Sequence, residues 1–169
     1  MKTNELVLAA LLLALGLVLH TVTPPILAGV KPDFLLATMF IAILSQPKVQ
    51  NTVLIGLVAG ILAAMTTGFP GGQIPNIIDK FITAFFVLGL IHILKNKLST
   101  FTLFIIGFIA TLVSGTIFLT SALILVGLPA PLSALFIAVV LPAAVANSIT
   151  SALFYKIFTR VSKPVLSRT

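Results

Sequence analysis

The chain has 169 residues, 59% of them hydrophobic, with a mean hydropathy of +1.26 and only ten basic and three acidic side chains. So little charge excludes a water-soluble globule, and the whole of 1–169 reads as a single integral membrane domain. Its net charge of +7 does not indicate nucleic acid, because the cations cluster at the ends of apolar runs, and the absence of cysteine excludes disulfides, thiolate metal sites and a thiol nucleophile.

Crossing about 30 Å of hydrocarbon takes roughly 20 apolar residues. The first run, 6–22, follows Lys2-Thr3-Asn4-Glu5 and ends at Thr23-Pro24-Pro25. It is longer than a signal-peptide core and five more runs follow, so it reads as a retained helix. The second run, 34–44, is short and needs flanking residues or a tilt within the bundle. The third, 52–67, ends in the turn-rich Gly68-Phe69-Pro70-Gly71-Gly72. The fourth spans 77–94 and stops at Lys95-Asn96-Lys97, and the fifth, 101–126, stops at Gly127-Leu128-Pro129. The sixth covers 132–158 and contains Pro142, where a missing backbone donor predicts a kink. The fold class is therefore all-α, a bundle of six transmembrane helices.

Six spans place both termini on one side. With that side cytoplasmic, the inner segments hold Lys2, Lys48, Lys95, Lys97, Lys156, Arg160, Lys163 and Arg168, and the outer ones only Lys31 and Lys80. This positive-inside bias predicts cytoplasmic termini and three outward Pro/Gly-rich loops in a multi-pass cell membrane protein.

Little catalytic chemistry is available. His20 and His92 lie on separate helices, no carboxylates pair at a useful spacing, and HExxH, nucleophile-elbow and P-loop motifs are absent. The sequence predicts no enzyme, no catalytic residue, no metal and no cofactor. Any use of ATP must reside in partners.

Polar residues inside hydrocarbon are costly, so their placement carries the functional signal. Gln73, Asn76, Asp79, Lys80 and Thr83 gather at the start of the fourth helix, and 76, 79, 80 and 83 share one face. Two readings stay open. One is a cap, with Asn76 as N-cap, Asp79 at the third position and Lys80 snorkelling to the interface. The other is a zwitterion site, with the helix N-terminus and Lys80 favouring a carboxylate and Asp79 an ammonium. Thr111 and Ser114 face one way on the fifth helix. On the sixth, Asn147 has the most groups to satisfy and is expected to point into a cavity. The loop 21–31, leading into Lys31-Pro32-Asp33 above His20, either lids the site or is an interfacial turn with a weak Lys–Asp pair. Phe69, Phe81 and Phe85 lie near enough to flank a planar ligand or simply to pack. Ala10-x-x-x-Ala14 and Gly56-x-x-x-Gly60 are small-residue patterns that let another helix approach, within the bundle or from another subunit.

Short helices, cytoplasmic ends, no ATP site and Ala10 and Ala14 on the first helix together resemble the substrate-binding S components of energy-coupling factor (ECF) transporters. Within that group, Thr23-Pro24-Pro25, Lys31-Pro32-Asp33-Phe34 and the run from Phe69 through Gln73, Asn76 and Asp79 to Lys80 are similar to TrpP-type tryptophan transport proteins over nearly the whole chain. The resemblance implies capture of L-tryptophan or a related amino acid near the outer face. It also implies contact of Ala10 and Ala14 with a transmembrane T component, and energy from two ATPase subunits. The site candidates Asn76, Asp79, Lys80, Asn147, Gln73 and His20 rest on polarity. Two alternatives are a rod-shape protein similar to MreD, suggested by Lys-Pro-Asp-Phe before a short apolar run, and a stand-alone secondary transporter.

Overall fold

The computed structural model describes residues 3–24, 31–94 and 97–166, with side chains as far as residue 161. Among them the chain is all-helical. It runs α1 (Thr3–Val22), α2 (Phe34–Ser45), α3 (Val49–Met65), α4 (Gln73–Leu94) and α5 (Thr100–Leu125). A last rod joins α6 (Leu132–Leu135), a π-helical turn (Phe136–Val140) and α7 (Leu141–Leu166). Each of the six predicted runs corresponds to one rod. Lys2, Lys95, Arg168 and residues 25–30 of the predicted outer loop lie outside the described residues.

Four rods are long and apolar enough to cross a membrane: α1, α4, α5 and the last. The other two are shorter. At 12 residues, α2 reaches about 18 Å at 1.5 Å per residue, less than the hydrocarbon thickness. Its position explains its composition. It packs against α1, α3, α4 and α7, so every residue from Leu35 to Ile43 is buried. A helix covered on all sides needs no polar face, which is why this segment reads as an unbroken apolar run.

α1 is peripheral. Ala9, Leu13 and Gly16 form its one buried stripe, and Gly16 is needed where it is. A Cβ there would sit 3.0 Å from the Phe34 carbonyl and closer still to Thr38 Oγ1, so α2 could not approach. Ala10 and Ala14 lie off this stripe and are exposed, among exposed Leu6, Leu11 and Leu15. The second small-residue pattern has the other fate. Gly56 and Gly60 face α4, where added Cβ atoms would lie 2.8 Å from Ala84 Cβ and 2.9 Å from Ile77 Cα. Gly56-x-x-x-Gly60 is therefore a contact inside the bundle.

The irregularity expected at Pro142 takes the form of the π turn just before it. Leu141 N–H bonds back to the Phe136 carbonyl, five residues earlier, and Pro142 then has no N–H to give. α5 closes on Gly127 in a left-handed conformation (φ +81°), its N–H donating to the Ala122 carbonyl at 2.9 Å. At the opposite end of the bundle from these loops, Glu5 ties α1 to the α2–α3 turn. Its carboxylate pairs with Lys48 at 2.7 Å and accepts from buried Asn51 at 3.3 Å.

Candidate functional site

The end of the bundle built from the α1 C-terminus, the α2 and α4 N-termini, α5 and the last rod encloses a cavity of about 330 Å³. That lies within the usual range for a small-molecule site, about 300–1,000 Å³. Its two sides differ in chemistry.

The polar side is an ion triad. Lys80 Nζ lies 2.8 Å from Asp33 Oδ2 and 2.7 Å from Asp79 Oδ2, while Thr83 donates to Asp79 Oδ1 at 2.9 Å. Lys80 and Asp79 are 3% and 1% exposed. One helix turn supplies Asp79, Lys80 and Thr83, because Thr83 lies four residues from Asp79 and three from Lys80, spacings that are neighbours on a helix surface. Asp33 arrives from the start of the neighbouring α2. It is the N-cap of α2, with Oδ1 accepting from Leu36 N–H at 2.9 Å, so a single carboxylate both starts a helix and binds the lysine. Asn147 holds it in place: its Oδ1 accepts the Asp33 N–H at 2.7 Å, and its Nδ2 donates to Thr111 Oγ1 at 3.2 Å. His20 Nδ1 is 3.9 Å from Asp33 Oδ1. Lys31 Nζ donates to the His20 carbonyl at 2.8 Å.

The apolar side is lined by Phe69, Phe118, Leu119, Leu135, Val139 and Val140. Phe69 and Phe118 meet edge to face, with centroids 5.4 Å apart and planes at 88°, a favourable aromatic geometry.

Five of the sequence candidates behave alike. Asn76, Asp79, Lys80, Asn147 and His20 all line this cavity, whereas Gln73 is exposed at the start of α4 and does not. The capping reading of the polar stripe fails. α4 begins at Gln73, placing Pro75 in the first turn, where backbone N–H groups have no helical partner to lose. Asn76 is consequently inside the helix, its Nδ2 donating to the Gly72 carbonyl at 2.8 Å. Nor does Lys80 snorkel, since two carboxylates hold it inward. The weak Lys31–Asp33 pair is likewise replaced: Asp33 pairs with Lys80, and Lys31 with a carbonyl. Phe81 and Phe85 meet edge to face, centroids 5.3 Å apart and planes at 72°, and neither lines the cavity.

Sequence reasoning missed Asp33 as a site residue, along with Phe118, Gly115 and Val140. Phe118 was findable, being four and seven residues beyond Ser114 and Thr111 on the same face of α5. Asp33 was hidden by its 47-residue separation from Lys80, a pairing that no local pattern encodes.

Membrane-length apolar rods around an internal, ligand-sized cavity make this a multi-pass α-helical membrane protein. The sequence matches the family model described as tryptophan transporter TrpP over residues 2–163, and the chain belongs to that family. It is 50% identical over 157 residues to a probable tryptophan transport protein of Bacillus subtilis, covering 93% of this chain and 91% of the relative. It is 46% identical over 156 residues to one of Clostridium acetobutylicum, with 92% and 91% covered. A third, from Clostridium perfringens, is 39% identical over 166 residues, again with 92% and 91% covered. No solved structure matches the chain. The family is one of transporters and not of enzymes, in agreement with the missing catalytic motifs.

Proposed function

We propose that this chain is the substrate-binding membrane subunit of an ATP-driven uptake system, taking up tryptophan at a cavity that faces outward. The observation that carries the reading is the two-sided cavity. An amino acid with a large planar side chain needs one charged wall and one aromatic wall, and both are present within the same 330 Å³.

The charges assign the groups. Lys80 is shared between Asp33 and Asp79, so the ionised triad has a formal charge of −1 and attracts the substrate ammonium. The carboxylate goes to Lys31, whose present partner is the neutral His20 carbonyl. The indole lies against Phe69 and Phe118. Because the sequence has no P-loop, ATP hydrolysis belongs to partner ATPases reached through a T component, as the ECF resemblance implies. The exposed face carrying Ala10 and Ala14 supports that docking. Both termini are cytoplasmic in this reading.

Calorimetric titration of the detergent-purified protein tests it, with L-tryptophan compared against D-tryptophan, indole and tyrosine. Submicromolar binding that requires both amino and carboxyl groups is the expected result. If no amino acid binds, solute capture is wrong. Tryptophan uptake by the purified chain alone in liposomes, without ATPases, would instead favour the stand-alone transporter.

A further inference from the structure

We propose that Gly115 and Val140 together form the floor of the cavity and set the size of the ring it accepts, an inference that rests on the tryptophan-binding reading above. Gly115 on α5 and Val140 at the end of the π turn both line the cavity. A Cβ built on Gly115 would lie 2.5 Å from Val140 Cγ1 and 2.7 Å from Cγ2. These are distances at which one group must move. Val140 is 5% exposed, and its branched Cβ leaves it few rotamers. The open space beside it is the cavity, so a side chain at 115 drives the valine methyls into the volume that the ring would fill.

The π turn is what brings Val140 there. Leu135, Val139, Val140, Ala143 and Asn147 line the cavity; Val140 stands five residues after Leu135, and Ala143 and Asn147 follow it at spacings of three and four. The step of five is one π-helical turn, while three and four are α-helical. An uninterrupted α-helix would carry Leu135 and Val140 on different faces. The extra residue in the turn lets the rod present an apolar floor from its first half and Asn147 from its second. Position 115 has to stay without a side chain because the π turn fills the space opposite it.

The test is tryptophan binding by the full-length protein and three variants: Gly115→Ala, Val140→Ala and the double variant. Gly115→Ala is expected to weaken L-tryptophan by about tenfold or more, the usual effect of one methyl group in an apolar pocket. Adding Val140→Ala should restore affinity to within about threefold of the parent, since the smaller side chain makes room for the new Cβ. Rescue shows that the loss comes from the clash between position 115 and Val140. Thermal unfolding of Gly115→Ala separates the two roles: weakened binding with an unchanged melting temperature is a pocket effect, whereas a lowered one marks a fold effect. Val140→Ala alone should bind at least one ring-methylated tryptophan better, relative to tryptophan, than the parent does, and this arm holds even where Gly115→Ala fails to fold. Unchanged tryptophan affinity in Gly115→Ala, absence of rescue in a folded double variant, or no gain for any methylated ring in Val140→Ala overturns the inference. If the unsubstituted protein itself binds no tryptophan, the function reading fails first and takes this one with it.

Discussion

Lys80 is the residue on which the site turns, because it is a cation held away from water by two carboxylates from different helices. Removing one partner of a buried ion pair leaves an uncompensated charge, at a cost of about 3–5 kcal/mol. Lys80→Met leaves Asp33 and Asp79 facing each other with nothing between them. It is expected both to abolish tryptophan binding and to lower unfolding stability by that amount, measured by thermal unfolding in detergent. Asp79→Asn should separate the two effects. The amide can turn its oxygen to Lys80 and donate its NH2 to the Thr83 hydroxyl, and Lys80 keeps Asp33, so the fold survives. The triad then becomes neutral and loses its pull on an ammonium group. Tryptophan affinity should fall about tenfold or more, in line with the roughly 1.5–3 kcal/mol carried by a hydrogen bond to a charged group. An Asp79→Asn protein that binds as tightly as the parent would place the ammonium elsewhere. The stripe Asn76, Asp79, Lys80 was legible because helical periodicity is local. Its meaning was not, since a cap and a buried triad use the same residue types, and only the arrival of Asp33 from α2 distinguishes them.

Between helices, one sequence pattern has two outcomes. Gly56-x-x-x-Gly60 and Ala10-x-x-x-Ala14 have the same spacing, yet the first is spent on the α3–α4 contact and the second faces outward from α1. The difference follows from depth in the bundle. α3 has α4 against its small-residue face, whereas α1 covers α2 with the stripe Ala9, Leu13 and Gly16 and leaves the neighbouring face open. Gly60→Val should therefore destabilise the protein by about 1–3 kcal/mol, because the new methyls meet the Ile77 backbone and overpack the interface. Ala10→Val/Ala14→Val should change stability by no more than about 0.5 kcal/mol, as exposed substitutions do. It should nevertheless reduce ATP-dependent uptake in cells that supply the energising partners. A double valine variant that unfolds, or one that transports normally, would remove α1 as the docking face. Span positions were legible from apolar run length alone. The burial of α2 and the roles of the two small-residue patterns depend on neighbours that no single run encodes.

At the scale of the whole molecule, the direction in which the cavity opens decides whether it can capture a solute from outside. The ion triad and the aromatic wall are at the same end of the bundle as the α3–α4 turn. The Glu5–Lys48 pair and Lys97 mark the other end. Eight cations assigned to that other end against two at the cavity end predict that the cavity faces outward. The sequence contains no cysteine, so single thiols can be introduced without removing any. Gly68 is exposed at the cavity rim, and a Cβ there meets nothing within 4 Å. Lys97 is exposed on the α4–α5 connection. In intact cells, Gly68→Cys should react with a membrane-impermeant maleimide, and Lys97→Cys should react only after permeabilisation. Saturating L-tryptophan should slow the labelling of Gly68→Cys by filling the cavity beside it, and should leave Lys97→Cys unaffected. The reverse pattern of access would point the cavity at the cytoplasm. The same residues would then form a release or export site, and the charge bias would have to be explained by something other than topology.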